Sequence, residues 1–555
     1  MLVHIFSQSI FLCTANVFAD RQPKTIPDFL SAAFPRPFGP EDDVDSQYTL
    51  QAEETVNLAQ QQDNQEEQAK DVAPAPSRGR TVVAIIFSVL LAASLAGFIA
   101  VISRTGWLTP GLLIAAIAVD VLLSGGLVTL LFRSRSSARR VRFVVGVVLS
   151  VLLMAVNSLV GWLGSGYNNL LGGIQAPAAD TIQYDIVALA SAPPFLDSYT
   201  NTMMGQAPND TNQMVVQSHV NDFVSGIEFV DTADWSTAVD SLLSGQYPSI
   251  VIQDGYLQIF ADAAPDDYAK VQILATFDIP GTAILPGNTY NPSTPVAADA
   301  PFIVYISGID TAGPIATRSR SDVNQLMVVN PKTGKVLLVS TPRDYYVTLA
   351  DMPQCSLPDK LTHAGVYGIN VSVDTIDALY GINIDYYVRL NFTSLMTLVD
   401  AIGGIDVESS VAFTAGNYTF IQGMNHMNGA QALAFSRARH PFETGDRQRG
   451  MDQQAVITAI LKKLTQPSSL INYSAIVSAV SGSVQTSMTP EQISSLVKRQ
   501  ISAGTNWNIQ TMSVTGADSS DYTCSYPHQQ LYVMLPDQTT VDSAKQAIQK
   551  VLNGQ

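Results

Sequence analysis

FIVYISGIDTAGPIATRSRSDVNQLMVVNPKTGKVLLVSTPRD, residues 302–344, is the stretch on which the fold turns. It opens with Phe302–Ile306, a β-branched and aromatic run that leads into Ser307-Gly308-Ile309-Asp310. That is the pattern of a buried strand ending in a loop, the place where α/β folds set ligand groups. Leu326–Val329 and Val336–Val339 flank Asn330-Pro331-Lys332-Thr333-Gly334 and read as a hairpin whose second strand ends at Thr341-Pro342-Arg343-Asp344. Further on, Val373–Tyr380 reads as a helix stopped by Gly381, Asp385–Leu390 as a strand, and Ser394–Ile402 as a helix stopped by Gly403-Gly404. Gln453–Leu464 is amphipathic and helical, Gln530–Met534 a strand, and Val541–Leu552 a helix. Residues 302–555 are therefore expected to form a mixed α/β (α+β) domain with helices packed on a central sheet.

The chain is acidic, with 30 Lys+Arg against 47 Asp+Glu and a formal charge of −17. Yet seven arginines gather in four short clusters of this domain: RSRSD (Arg318, Arg320), TPRD (Arg343), FSRARH (Arg437, Arg439) and GDRQRG (Arg447, Arg449). Guanidinium groups grip phosphates with two-pronged hydrogen bonds. Interleaved aspartates would repel a phosphate unless a divalent cation lay between them, so the combination points to a metal-bridged di- or triphosphate. If the FSRARH segment is extended, Arg437 and Arg439 point to one side and share one phosphate. A single Arg–Asp pair is usually a surface ion pair worth about 0–1 kcal/mol, and it is the ordered set that argues for a site. Arg318 and Arg447 are expected to face solvent, and His363 to be a packed, hydrogen-bonded residue. Asp344 and Asp446 read equally well as groups that orient an arginine.

Only 14% of the residues are charged and 46% are hydrophobic, a balance that points to membrane segments. Thr81–Ile102, Leu108–Phe132 and Phe143–Leu163 are each long enough to cross a bilayer as a helix. Arg78 and Arg80 precede the first span, and Arg133, Arg135, Arg139, Arg140 and Arg142 fill the second connection. The positive-inside bias then sets the N-terminus in the cytoplasm and everything after about residue 164 outside the cell. Residues 1–80, acidic and poor in large apolar groups between Glu41 and Lys70, read as a disordered cytoplasmic tail. Asp120, in the middle of the second span, reads as a protonated or helix-paired carboxyl near Asn157. Two cysteines outside, Cys355 and Cys524, lack the spacing of a zinc site and the six histidines are scattered, so a zinc enzyme is not expected.

Between the spans and the main domain, residues 164–280 hold a tether, Ser165–Ala179, and then alternating signals. Tyr184–Ala190 and Pro248–Gln253 read as strands, and Val215–Val224 and Thr237–Leu243 as helices. This is a small α/β accessory module with no recognisable catalytic set. A Pro/Gly/Thr/Ala linker, residues 281–301, follows.

From Phe302 to about Leu464 the motifs resemble the catalytic domain of the LytR–CpsA–Psr family of bacterial cell-wall enzymes. The residues that carry the likeness are GID with Asp310, RSD with Arg320 and Asp322, and PRD with Arg343 and Asp344. Further on come DKLTHAG with Lys360, SRAR with Arg437 and Arg439, and GDRQRGMDQQ with Asp446, Arg449 and Gln453. Three N-terminal spans followed by a small α/β module are similar to the capsule-type CpsA branch. The resemblance implies a membrane-anchored phosphotransferase. Such an enzyme moves an anionic glycopolymer from a polyprenyl-pyrophosphate carrier to peptidoglycan, commonly at a muramic acid hydroxyl, with pyrophosphatase action as a side reaction. It implies Asp310 and Asp322 as ligands of Mg²⁺ or Mn²⁺, either also able to accept the acceptor's proton, with Arg343 beside them in catalysis. Arg320, Arg343, Arg437, Arg439 and Arg449 would clamp the pyrophosphate, and Lys360 and Gln453 complete the site. Part of the helical core would open to hold the polyprenyl tail. Many family members carry arginine three residues after the position of Arg449; this chain has Asp452 there. Cys355 and Cys524 share the oxidising side and are expected to form a disulfide, provided the fold brings their loops together. Two other readings stand beside this one: a non-catalytic binder of lipid-linked polymer, and a membrane-bound regulator or transcription attenuator. An outward-facing arginine set and an acidic tail argue against nucleic acid as the partner.

Overall fold

The computed structural model describes residues 77–105, 110–136, 139–172, 180–205, 212–281, 296–309, 311, 314–352, 355–438 and 446–555. Asp310, Arg439, Cys13 and the N-terminal tail lie outside the described residues, as does the side chain of Asp446.

Three helices, α1 (Arg78–Thr105), α2 (Pro110–Arg133) and α3 (Arg140–Gly172), are long and apolar enough to cross a membrane. They pack through Ala84, Leu131 and Phe143 and leave most other large apolar side chains outward, as helices solvated by lipid do. The Asn157 amide donates to Asp120 Oδ2 at 3.1 Å, so the intramembrane carboxyl is paired across two helices. The third helix continues to Gly172, into the segment read as a tether: Asn168, Asn169 and Gly172 weaken helix propensity without a proline to break it.

The accessory module is a five-stranded sheet in the order β3-β2-β4-β1-β5, built from β1 (Thr181–Leu189), β2 (Asn201–Met204), β3 (Glu228–Val230), β4 (Ser249–Gln253) and β5 (Val271–Pro280). Helices α4 (Gln213–Phe223), α5 (Trp235–Leu243) and α6 (Asp254–Ala263) pack on it. Asp234 caps α5 by accepting from the Thr237 amide at 2.8 Å. The module is bolted to the main domain. Trp235 stacks on Tyr526 at 5.1 Å and donates to the Ser525 carbonyl at 3.0 Å. Gln253 donates to the Val366 carbonyl at 3.2 Å. Gly255 lets α6 lie against Val366, whose Cγ1 would be 2.7 Å from a Cβ there.

The main domain is built on a six-stranded mixed sheet. Its strands are β6 (Phe302–Ile309), β7 (Ser321–Asn330), β8 (Lys335–Thr341), β9 (Tyr386–Leu390), β10 (Val484–Thr486) and β11 (Asn508–Ser513), in the order β10-β9-β6-β7-β8-β11. The β7–β8 hairpin pairs Asn330 with Lys335 around the Asn-Pro-Lys-Thr-Gly turn, where Gly334 takes φ +66°. Side chains alternate along β6, so the sheet is buried on both faces. Ile303 and Tyr305 pack under α7 (Ile369–Tyr380) and the C-terminal helix Gln538–Leu552. Phe302, Val304 and Ile306 face the opposite layer with Ile457, Leu461 and Ile493. Gly381 ends α7 in the left-handed region at φ 63°, as its position requires. A third cluster packs α8 (Phe392–Ala401), α9 (Gly429–Arg437) and α10 (Asp446–Leu464) around Val399, Phe435, Val456 and Ile460. Asn391 and Asn428 start α8 and α9 with capping boxes. Cys355 and Cys524 are bridged, with Cα atoms 5.3 Å apart.

Two local readings change. The FSRARH segment is not extended at Arg437. The Asn428 capping box starts α9 and the helix runs through Arg437; Arg439 lies outside the described residues. Helix α10 begins at Asp446, about two turns before Gln453; its first turns carry polar residues and so lack the apolar stripe that marks a helix in sequence.

Candidate active site

The C-terminal end of β6, the start of β7, the end of β8 and the first turns of α8 and α10 surround one cavity of about 300 Å³. Arg320, Asp322, Arg343, Arg437, Arg449 and Gln453 line it together with Ile306, Val323, Leu390, Phe392, Leu395, Leu433, Val456 and Ile457. The lining is divided between cationic and apolar side chains. Helix α10 shows how sequence builds both: Arg449, Gln453, Val456 and Ile457 follow at helical spacing, polar at the N-terminal end and apolar one turn on. Gln453 donates to the Ser436 carbonyl at 3.4 Å. The Arg437 guanidinium lies over the Phe392 ring, 3.9 Å from its centre, a stacking only a planar cation makes well.

Arg343 is the hub. It is almost buried, with 4% of its side chain exposed, and its Nη1 donates to Asp322 Oδ2 at 2.8 Å. Asp322 Oδ1 accepts from Thr362 Oγ1 at 3.2 Å, which ties the RSRSD motif to DKLTHAG. Gly365 makes that approach possible. A Cβ there would collide with the Ser319 carbonyl and come within 2.9 Å of the Ser321 amide nitrogen. Asp344 turns away from the cavity and pairs with Lys360 Nζ at 3.2 Å. Lys360 therefore stands behind Arg343, over the Tyr532 ring at 5.9 Å, and not on the cavity wall. His363 is buried and its Nδ1 lies 2.6 Å from Asp359 Oδ1. Arg447 is exposed beside Asp518. Arg318 is not solvent-facing: it is buried with Nε 3.5 Å from Asp180 Oδ2, and fully buried Arg389 reaches the same carboxylate at 3.5 Å. Asp180 enters β1, so this shared carboxylate fastens the accessory module to the sheet.

One site residue was invisible to the sequence reading. Asp262, near the end of α6, is hydrogen-bonded by Arg320 Nη1 and accepts from Arg343 Nη2 at 3.1 Å. Asp254, Gln258 and Asp262 recur every four residues and so share one stripe of α6. Gln258 accepts from Ser319 Oγ at 3.2 Å and its carbonyl from Arg320 Nη1 at 3.4 Å. Burial and the neighbouring Asp185 raise the Asp254 carboxyl to about 7. The four-residue recurrence is the signal that could have located this helix. Asp452 lies buried off the cavity, accepting from Gln448 at 2.9 Å; burial lifts it to about 6 against the pull of that hydrogen bond. Among the described residues no three His, Cys, Asp or Glu side chains are grouped to hold a metal ion.

Residues 280–550 match the LytR_cpsA_psr family. A polyisoprenyl-teichoic acid–peptidoglycan teichoic acid transferase TagU of Bacillus anthracis (strain CDC 684 / NRRL 3495) is 33% identical over 212 residues, 38% of this chain and 68% of that protein. This chain belongs to the LytR–CpsA–Psr family. A second transferase of the same name, from Bacillus mycoides, is 33% identical over 204 residues, 37% of this chain and 66% of that protein. The chain thus spans about two thirds of the length of these family members. The crystal structure of B. subtilis TagV is 26% identical, with a TM-score of 0.40, over 46% of this chain and 98% of that one. The arginine cavity falls wholly inside the part matched to the family, except for Asp262, which the accessory module adds.

Proposed function

We propose that this protein is a membrane-anchored phosphotransferase that moves an anionic glycopolymer from a polyprenyl-pyrophosphate carrier to peptidoglycan. The observation that carries this reading is the mixed lining of the cavity: four arginines and a set of large apolar side chains line one space. A polyprenyl diphosphate has that same division, a dense double anion on a hydrocarbon chain. The name borne by the B. anthracis and B. mycoides relatives, a transferase of polyisoprenyl-linked teichoic acid to peptidoglycan, gives the class of donor and acceptor. Whether the polymer here is a teichoic, capsular or exopolysaccharide chain is set by sugar chemistry beyond the diphosphate.

Arg320, Arg343, Arg437 and Arg449 would neutralise the diphosphate and hold its phosphorus in line with an incoming hydroxyl. Asp322, together with Asp310, would accept that hydroxyl's proton or hold Mg²⁺ or Mn²⁺. Asp322 lines the cavity as a carboxylate held by Arg343 and Thr362, and an oriented carboxylate is the ligand type a hard cation takes. Such an ion would supply further charge neutralisation on the diphosphate oxygens. Lys360 and Asp344 would keep Arg343 aimed from behind. The arginine-rich connection after α2 supports a cytoplasmic N-terminus and an outward catalytic domain. A reporter fused after Gln555 would then be active outside only, and activity inside would reverse the topology.

The test uses the full chain in lipid nanodiscs with Mg²⁺, a polyprenyl-pyrophosphate-linked oligosaccharide and peptidoglycan fragments. The expected product is the oligosaccharide joined to peptidoglycan through one phosphate, with polyprenyl monophosphate released. Recovery of intact donor under conditions where it is bound would make the protein a binder instead.

A further inference from the structure

Arg343 spends Nη1 on Asp322 and Nη2 on Asp262, with its Nε 3.8 Å from Asp344. Arg320 gives Nη1 to Asp262 and to the Gln258 carbonyl. A phosphate that takes Arg343 through Nη1 and Nη2, or Arg320 through Nη1, competes with these acceptors for the same nitrogens. Of the carboxylates on Arg343, Asp262 has the least holding it. Its side chain is 48% exposed, against 17% for Asp322 and 12% for Asp344. Asp322 also binds Thr362 and Asp344 also binds Lys360, whereas Asp262 meets only the two arginines among the described residues. It stands in the last turn of α6, where the helix's negative end disfavours a carboxylate. Its backbone, by contrast, is held through the packing of Leu257, Ile259 and Phe260 and the Gly255–Val366 contact.

We propose that Asp262 is a resident anion of the pyrophosphate subsite, holding Arg320 and Arg343 in place while no substrate is bound and giving way, by side-chain rotation, when a diphosphate enters. This rests on the anion-binding reading above. It makes the accessory module part of the site: the module supplies the group that keeps two buried cations paired and that substrate must outcompete. If the carboxylate holds the subsite about nine parts in ten, apparent affinity is about tenfold below the intrinsic value.

The experiment measures binding of inorganic pyrophosphate to the full chain in nanodiscs by calorimetry, at low salt and at about 0.5 M NaCl. The proteins are wild type, Asp262→Asn, Asp262→Ala, Arg343→Ala and the exposed neighbour control Asp266→Asn. Both Asp262 variants should bind about tenfold more tightly, and the gain should persist at high salt, because a direct contact is not screened as a distant charge is. Binding that is unchanged or weaker in both Asp262 variants overturns the proposal, since the residue would then be positioning the arginines or holding a cation. A gain that vanishes with salt, or that Asp266→Asn reproduces, also overturns it. If wild type and the Asp262 variants all fail to bind, or Arg343→Ala binds like wild type, the anion-site reading itself falls and takes the resident anion with it.

Discussion

Asp452 is a buried carboxyl, and replacing it should make the protein more stable in a pH-dependent way. The carboxyl is buried on α10, Oδ1 accepts from Gln448, and Oδ2 finds no partner among the described residues. Burial raises it from 3.8 to about 6. A raised folded value means that the folded state prefers the neutral acid. Well below pH 4 both states are protonated and nothing is lost. Between about pH 4 and 6 the unfolded chain gives up this proton while the folded protein holds it, so stability falls, and the loss levels off once the folded carboxyl also ionises. A difference of about two units corresponds to roughly 3 kcal/mol, complete above about pH 7. Asp452→Asn keeps the acceptor for Gln448 and removes the charge, so it should gain on the order of 1–3 kcal/mol at pH 8. That corresponds to a rise of roughly 2–6 °C in apparent Tm for a domain of this size. The assay is thermal unfolding of the full chain in detergent from pH 4 to 8. No gain at pH 8, or an equal gain at pH 4, would refute the argument.

Arg343→Ala should lower turnover by on the order of 10²-fold or more, the scale of one lost transition-state donor, and Arg343→Lys should not restore it, because an ammonium lacks the planar fork that grips a phosphate in two-pronged fashion; steady-state rates of both variants check this. Gly365→Ala should push the DKLTHAG segment off Ser319–Ser321, at about 1–3 kcal/mol of stability, with a fall in activity from the displaced Arg320; wild-type activity would show that the approach is not tight. Reducing the Cys355–Cys524 bridge, which closes 169 residues, should cost roughly 2–4 kcal/mol and loosen the loop before Lys360, read as a lower Tm under reductant that the double serine variant reproduces.

The sheet was legible because β6, β7 and β8 carry β-branched runs between clear turn signals, and α7 because a glycine stops it. The sheet's edge strands β10 and β11 were not legible, the first being three residues long and the second mostly exposed and polar; other elements were missed because their pattern answers to the site. The first turns of α10 expose Arg449 and Gln453 to a cavity and so break the apolar stripe that marks a helix. Arg437 ends a helix because Asn428 begins one, a local signal that the arginine repeat drew attention away from. Arg318 reads as a surface arginine until Asp180, from another module, is folded against it. Asp262 depends on tertiary placement in the same way: nothing near it in sequence says that α6 will lie beside β7. The spacing of Asp254, Gln258 and Asp262 fits a helix face, but only the packing of Trp235 on Tyr526 says what that face meets.

The central claim is covalent transfer of a polymer to the wall. The most direct measurement compares purified peptidoglycan from host cells lacking the gene, and from the same cells supplied with wild type or with Arg343→Ala, and quantifies glycopolymer released from muramic acid phosphodiesters. The expectation is that one polymer is lost from the wall without the gene, returns with wild type, and does not return with Arg343→Ala although that protein reaches the membrane. Equal wall-bound polymer in all three would contradict the account.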